Sequence, residues 1–458
     1  MNTTAKLAEF ATSLRYEDIP AGVRNNACLA ILDSIGTAFT GLAQHSVRIV
    51  RDAALHEGGK GQATIIGTGL QASATTAALA NGTAAHALNY DSISLAVSGF
   101  ISSPVLFAIL ALAENATRPV SGKRLIEAYV AGWEVEAAIA RGLGVIHYTK
   151  GWHSTATLGH FGAVIGGARL LGLDIDATRS AMGIAASEAS GLRTMIGNMT
   201  NPFHVGKAAR NGVFAAQMAR AGFLAEPGVI EHPAGFAAAF NGTDNFDLNA
   251  MTAGLGSRWD LFDPGLVIKV YPCCGLIHSA LDAVLGLRED EKVSADAVAA
   301  ATVAVHAYVP LTMTYPRPTT GYEAKFSTPF CVATALREGS VRLDHFTDER
   351  TAEPGMIDLM KRVQMVTHPD LKDQSTFLER EFSEVTLELK DGRRLTRRVN
   401  RINNHGSRGR PADLELIRRK FDDCTAQVED KSRVADGFTR FARLAEIDDI
   451  RETIKMFR

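Results

Sequence analysis

A mostly α fold, one large all-helical domain with a smaller α+β lid domain, is what this sequence predicts, and three observations predict it. The first 260 or so residues are rich in Ala and Gly and repeat apolar residues at helical spacing. After Pro264 the texture shifts to short β-branched runs separated by turn signals. From Asp413 onward mixed-charge helical patterning returns. These shifts divide the chain into a helical domain over 1–266, completed by 403–458, and a lid over 267–402.

The elements follow in order. Met1-Asn-Thr-Thr-Ala-Lys reads as a capped helix start, without the charged-then-apolar layout of a signal peptide. Phe10-Ala11-x-x-Leu14 and Ala27-x-x-Ala30-Ile31-x-x-Ser34-Ile35 place apolar groups three and four apart, and the pattern continues over 106–114, 125–143 and 213–224. Gly159, Gly162, Gly166 and Gly167 fall inside one apolar segment. Each costs a helix roughly 1 kcal/mol relative to alanine, so close helix–helix approach is the expected compensation. Asp174 is placed to cap the next helix. In the lid, 299–308 carries β-branched residues and stops just before Pro310, as a strand does. The stretch 383–399 alternates around Lys390-Asp391-Gly392, a hairpin signal, and helical pieces are expected near 327–337 and 351–364.

Composition excludes several functions. Lys and Arg number 48 against 50 Asp and Glu, a net charge of -2, which leaves no electrostatic footprint for nucleic acid or anionic lipid. No apolar run approaches the roughly 20 residues that span a bilayer. The five cysteines are odd in number and sparse, unlike a secreted disulfide framework. A cytoplasmic globular protein with no nucleic-acid or membrane partner is the expectation. Gly67-Thr-Gly69-Leu-Gln-Ala72 fits a loose dinucleotide pattern but reads better as a turn before a helix, since no run of alternating strands and helices follows. Neither a phosphate-binding Gly-rich loop with Lys-Ser/Thr nor His-Glu-x-x-His occurs, and the adjacent Cys273 and Cys274 are poor partners for one tetrahedral zinc. No cofactor and no metal are expected.

What remains is a set of polar blocks beside Gly, Pro and Ala. The first is Asn81-Gly-Thr-Ala-Ala-His86-Ala-Leu-Asn89-Tyr-Asp91-Ser92. The second, His147-Tyr148-Thr-Lys150-Gly-Trp152-His153-Ser154, sets His153 just before a Ser/Thr cap, where an anion fits against the helix dipole. The third runs from Asn198 to Arg210 and places His204, Lys207 and Arg210 on the first turns of a helix begun by Asn201-Pro202. Cations there oppose the dipole, which either an acidic ligand or a solvated basic face explains. The fourth, Lys269-Val-Tyr271-Pro272-Cys273-Cys274-Gly275-Leu-Ile-His278-Ser-Ala-Leu-Asp282, lets His278 and Asp282 pair along a helix. The fifth presents Arg317 on rigid proline geometry ahead of Glu323-Ala324-Lys325. None decides function alone.

Together and in this order the blocks resemble the MmgE/PrpD family. The matching stretches are Leu32-Asp33-Ser-Ile-Gly36, Asn81 to Asp91, Gly151-Trp-His153-Ser-Thr-Ala, Ala185-Ala-Ser-Glu-Ala-Ser-Gly-Leu, Lys269-x-Tyr-Pro-Cys-Cys and Thr319-Thr-Gly-x-Glu-Ala-Lys-Phe-Ser327. The resemblance covers nearly the whole chain. It implies a homodimer with a cofactor-free site between a helical domain and an α+β lid. The family's reactions include dehydration of 2-methylcitrate, decarboxylation of cis-aconitate and epimerisation of iminodisuccinate. Asp91, His153, His204, Lys269 and His278 retain its pattern as catalytic candidates. Departures stand at Asn89-Tyr90-Asp91-Ser92, where the decarboxylase-like pattern reads Asp-Phe-Asp-Asp, at Phe100, where the family usually has His, at Asn201, where it has Lys, and at Cys274, where decarboxylases carry His.

Those losses leave fewer cations for a tricarboxylate, so an acid with fewer carboxylates fits better. The family reactions pass through a carbanion or enediolate beside a carboxylate, which requires a base and positive groups aimed at the developing charge. His153 or Lys269 takes the base role. His204, Arg317 and Lys325 are assigned to the carboxylates, with Lys207 a further cation, and Asp91 orients a histidine or holds a leaving hydroxyl. Asn89, Tyr148, Asn201 and Cys274 complete the expected substrate contacts. The first expectation is a lyase on a small di- or tricarboxylic acid. An epimerase of an amino- or imino-dicarboxylate is the runner-up, and a non-catalytic member of the family the third reading.

Overall fold

The computed structural model describes residues 2–97, 99–377 and 379–458. The fold is mostly α, with one smaller α+β part. Helices Ala74–His86, Ser102–Glu114, Gly122–Leu143, Ser154–Leu171 and Thr200–Arg220 are buried along most of their length. Their small residues let backbones touch. A Cβ at Gly82 would lie 2.8 Å from Gly206 Cα, and one at Gly132 would lie 2.5 Å from the Gly162 carbonyl oxygen. Close packing thus offsets the helix penalty of these glycines. Asp174 accepts the Ala177 N–H at 2.8 Å and caps Ile175–Glu188, as its position predicts.

Two large apolar cores form, with two small clusters beside them. One joins residues of 7–268 to residues of 417–457, so the C-terminal helices return to the helical part. There Phe421 and Phe457 each meet the Phe39 ring edge-on at 6.3 Å. The second core draws only on residues of 273–389 and lies under a four-stranded sheet. In the sheet, Val298–Val305 pairs in parallel with Val363–Thr367 and antiparallel with Phe382–Leu389, which pairs in turn with the edge strand Arg394–Asn400. The hairpin turns through Gly392 at φ +89°, a conformation glycine adopts without a Cβ penalty.

Three local expectations are corrected. The stretch 351–364 is not one helix: Pro354–Lys361 is helical, and Val363 begins a strand whose hydrogen bonds come from a distant partner. Helix Thr3–Ser13 forms without a side-chain cap from Asn2, while the Thr4 N–H bonds the Glu231 carboxylate at 2.9 Å. His278 and Asp282 do not pair. Asp282 accepts from the Tyr271 hydroxyl at 2.6 Å and the His405 N–H at 2.9 Å. No single described helix is long and apolar enough to cross a membrane.

A two-residue antiparallel pairing, Ile93–Ser94 with Leu266–Val267, joins the two parts of the chain near their junction. It lays the approach to Lys269 beside the loop that carries Asn89 and Asp91. Lys420, from helix Leu414–Cys424, pins the same place. Its ammonium pairs with Asp33 at 2.7 Å and donates to the carbonyls of Tyr90 at 2.6 Å and Lys269 at 2.9 Å.

Candidate active site

Helix Ala74–His86 ends at His86, and the chain then turns through Asn89 at φ +52°, one of the few non-glycine residues in the left-handed region. That turn brings Asp91 back under the helix end. His86 Nδ1 lies 2.9 and 3.1 Å from the two Asp91 carboxylate oxygens, and the Ser103 hydroxyl donates to Asp91 at 3.2 Å. On helix Thr200–Arg220, the Asn201 amide reaches His86 Nε2 and the Tyr322 hydroxyl, each at 3.3 Å. One turn on, His204 Nδ1 lies 3.0 Å from His153 Nδ1.

His153 occupies the N-cap position of helix Ser154–Leu171, and its side chain makes no cap bond. With Nδ1 tied to His204, Nε2 is the ring nitrogen left for the cavity that His153 lines. Burial, reinforced by the neighbouring His204 and His86, holds the His153 imidazole well below its usual range. His204 is brought to about 4 by burial and by the charge of Lys207. The pair is therefore neutral near pH 7.

The fully buried Lys269 donates to the Asn89 carbonyl at 2.8 Å and also bonds the Asn89 side-chain oxygen. Its ammonium stands 4.6 Å from the centre of the Phe100 ring, which in turn packs at 4.3 Å against His86. Burial pulls Lys269 down to about 8, with the Asp91 carboxylate opposing. Phe100 thus sets an apolar ring between the imidazole and the ammonium.

A cavity of about 70 Å³ lies between the two larger cores. Asn89, Tyr148, His153, Asn201 and Cys274 line it. Lys269 stands directly behind the wall, being bonded to Asn89 and packed on Phe100, a further lining residue. Asp91 and His204 support the wall through His86 and His153. The remaining candidates lie elsewhere. Lys325 is buried, donates to the Pro272 carbonyl at 2.8 Å and faces the Phe346 ring at 4.3 Å; burial lowers it to about 7. His278 packs 5.1 Å from Tyr271, and neither ring nitrogen has a nitrogen or oxygen partner. Lys207 bonds Ser190, and Arg317 is exposed with no ion pair among the described residues. Among the described residues no three His, Cys, Asp or Glu side chains are arranged to hold a metal ion.

Three contributors lacked any signal in the sequence. Tyr322 reaches Asn201 across 121 residues, Lys420 holds the junction, and Arg401 enters the cavity lining from the end of the edge strand.

Comparison with known proteins agrees with this layout. The MmgE/PrpD N-terminal domain model matches residues 5–249 and the MmgE/PrpD C-terminal domain model matches residues 271–439. The chain is similar to cis-aconitate decarboxylase of Aspergillus terreus (strain NIH 2624 / FGSC A1156), with 27% identity over 474 residues, covering 99% of this chain and 95% of that protein. It is also similar to the cis-aconitate decarboxylases of Mus musculus, at 23% identity over 98% of this chain and 92% of that one, and of Homo sapiens, at 24% over 85% and 81%. With both domain models matched in order over most of its length, the chain belongs to the MmgE/PrpD family.

Proposed function

We propose that this protein is a lyase of the decarboxylase or dehydratase type, acting by proton transfer next to a carboxylate of a small carboxylic acid. The observation that carries this reading is His153: it lines the cavity, with Nδ1 held by His204 and Nε2 left for a substrate. General acid–base catalysis needs a group within hydrogen-bond reach whose pKa approaches the working pH. The neutral, desolvated His153 meets the second condition when a carboxylate enters, because a nearby negative charge raises an imidazole's pKa. Lys269 is the cation of the site, set behind Asn89 and Phe100 where it stabilises charge developing on the substrate carboxylate. His86 and Asp91 act through Asn201, fixing the wall beside His153.

The lyase reading draws its reaction class from the similarity to cis-aconitate decarboxylases. Proton NMR in deuterated buffer tests it, with 2-methylcitrate, cis-aconitate and iminodisuccinate as probes. Formation of an alkene or loss of carbon dioxide, abolished in His153→Gln, is expected. Deuterium entering an intact skeleton beside a carboxylate would replace this reading with an epimerase.

A further inference from the structure

The cavity carries little positive charge. Of its ionisable lining residues, His153 is neutral, burial pushes the Cys274 thiol up to about 11, and the Tyr148 phenol is also raised. Arg401 is the permanent charge in the lining. It is nine-tenths buried, pairs through Nη1 with Glu381 at 3.0 Å and lies 4.9 Å from the centre of the Phe377 ring. Its Nε has no hydrogen-bond partner. A guanidinium has five donors in a fixed fork suited to a carboxylate, and here one of them, enclosed in the wall, is unused. Much of the remaining wall is apolar, including Val97, Ile196, Leu276, Phe326 and Phe377.

A tricarboxylate does not match this wall. Each buried carboxylate needs a charged or hydrogen-bonding partner. Arg401 supplies one, and Lys269, behind Asn89 and Phe100, supplies the field of a second cation. A third carboxylate would meet only neutral groups, such as Asn201 and Tyr148, or hydrocarbon. We propose that the substrate is a dicarboxylic acid bearing an apolar chain, with one carboxylate on Arg401 and the chain against Val97, Ile196, Leu276, Phe326 and Phe377. This inference rests on the lyase reading of the same site and narrows its substrate class.

Calorimetric titration of the full-length protein with 2-methyl-, 2-butyl- and 2-hexylmaleate against cis-aconitate tests it. Cis-aconitate is carboxymethylmaleate, so the series varies only the third arm. Binding should tighten about fourfold per added methylene from methyl to butyl, and 2-butylmaleate should bind more tightly than cis-aconitate. Arg401→Met should weaken every maleate at least about tenfold, the worth of a charged hydrogen bond, and leave the gain per methylene intact. The double variant Arg401→Met, Glu381→Gln repeats that test without a stranded carboxylate. The chain-length series on the unaltered protein stands even if both variants misfold. Tightest binding of cis-aconitate, indifference to chain length, or unchanged affinity in a folded Arg401 variant would each overturn the inference. Tight maleate binding without turnover of any probe overturns the lyase reading alone, because binding is measured independently of chemistry.

Discussion

Two buried polar clusters, one at the junction and one inside the second core, are built on opposite plans. In the cluster of His86, Asp91, Asn201, His153 and His204, side chains hold one another at 2.9 to 3.3 Å in two sets, Asp91–His86–Asn201 and His153–His204, joined by the one helix that carries Asn201 and His204. Two of its members line the cavity. In the cluster of Cys273, His278, Lys325 and Cys331, the groups are as deeply buried but sparsely partnered, and none of the four is in the cavity lining. Burial disfavours a thiolate at Cys273, yet contact with Cys331 and the neighbouring His278 and Lys269 outweigh it and lower that thiol. Burial perturbs titration in both clusters. Only the first joins that perturbation to fixed geometry and to access.

The largest effect that tests this contrast is on turnover. His153→Gln should lower kcat by about 10²–10⁴-fold, the usual worth of an acid–base group, whereas His278→Gln should leave kcat nearly unchanged. Equal losses in steady-state assays would erase the distinction between the clusters. Next, Lys420→Met should destabilise the fold by about 3–5 kcal/mol, because Asp33 is left as a buried charge without its partner. Denaturant unfolding at pH 7 measures it, and a loss below about 1 kcal/mol would show that Lys420 holds neither cluster in place.

The pH profile sharpens the roles of His153 and Lys269. If Lys269 acts as a cation, the rate should stay level through neutral pH and fall as pH rises through about 8, where its ammonium loses a proton. A rate that instead rises through about 8 would make the neutral lysine the base. The smallest effect is at the surface. Arg317→Ala should change KM by less than about twofold, the range of an exposed side chain without an ion pair; a tenfold rise would place Arg317 at the substrate in a closed state.

Much of the fold was legible because its signals are local. Helical spacing, the Asp174 cap and the turn at Lys390-Asp391-Gly392 each report on a few adjacent residues. Val363–Thr367 was not, since its strand exists through pairing with a partner some sixty residues earlier. The site divides the same way. His86 and Asp91 lie five residues apart within one block, whereas the meeting of His153 with His204 spans 51 residues. Arg401 follows a strand whose alternation, Arg394–Asn400, reads as a solvated basic face. It is buried because the chain turns inward at Arg401–Asn403 and Glu381 balances its charge.

The ammonium of Lys420 also imposes an order on biosynthesis. Asp33, Tyr90 and Lys269 leave the ribosome long before helix Leu414–Cys424, and domains assemble from the N-terminus as they emerge. A nascent chain can therefore have every cavity residue translated while the loop bearing Asp91 and the segment bearing Lys269 still lack their common anchor. The junction is anchored by nearly the last helix made, so it reaches its final form only when almost the whole chain has been translated.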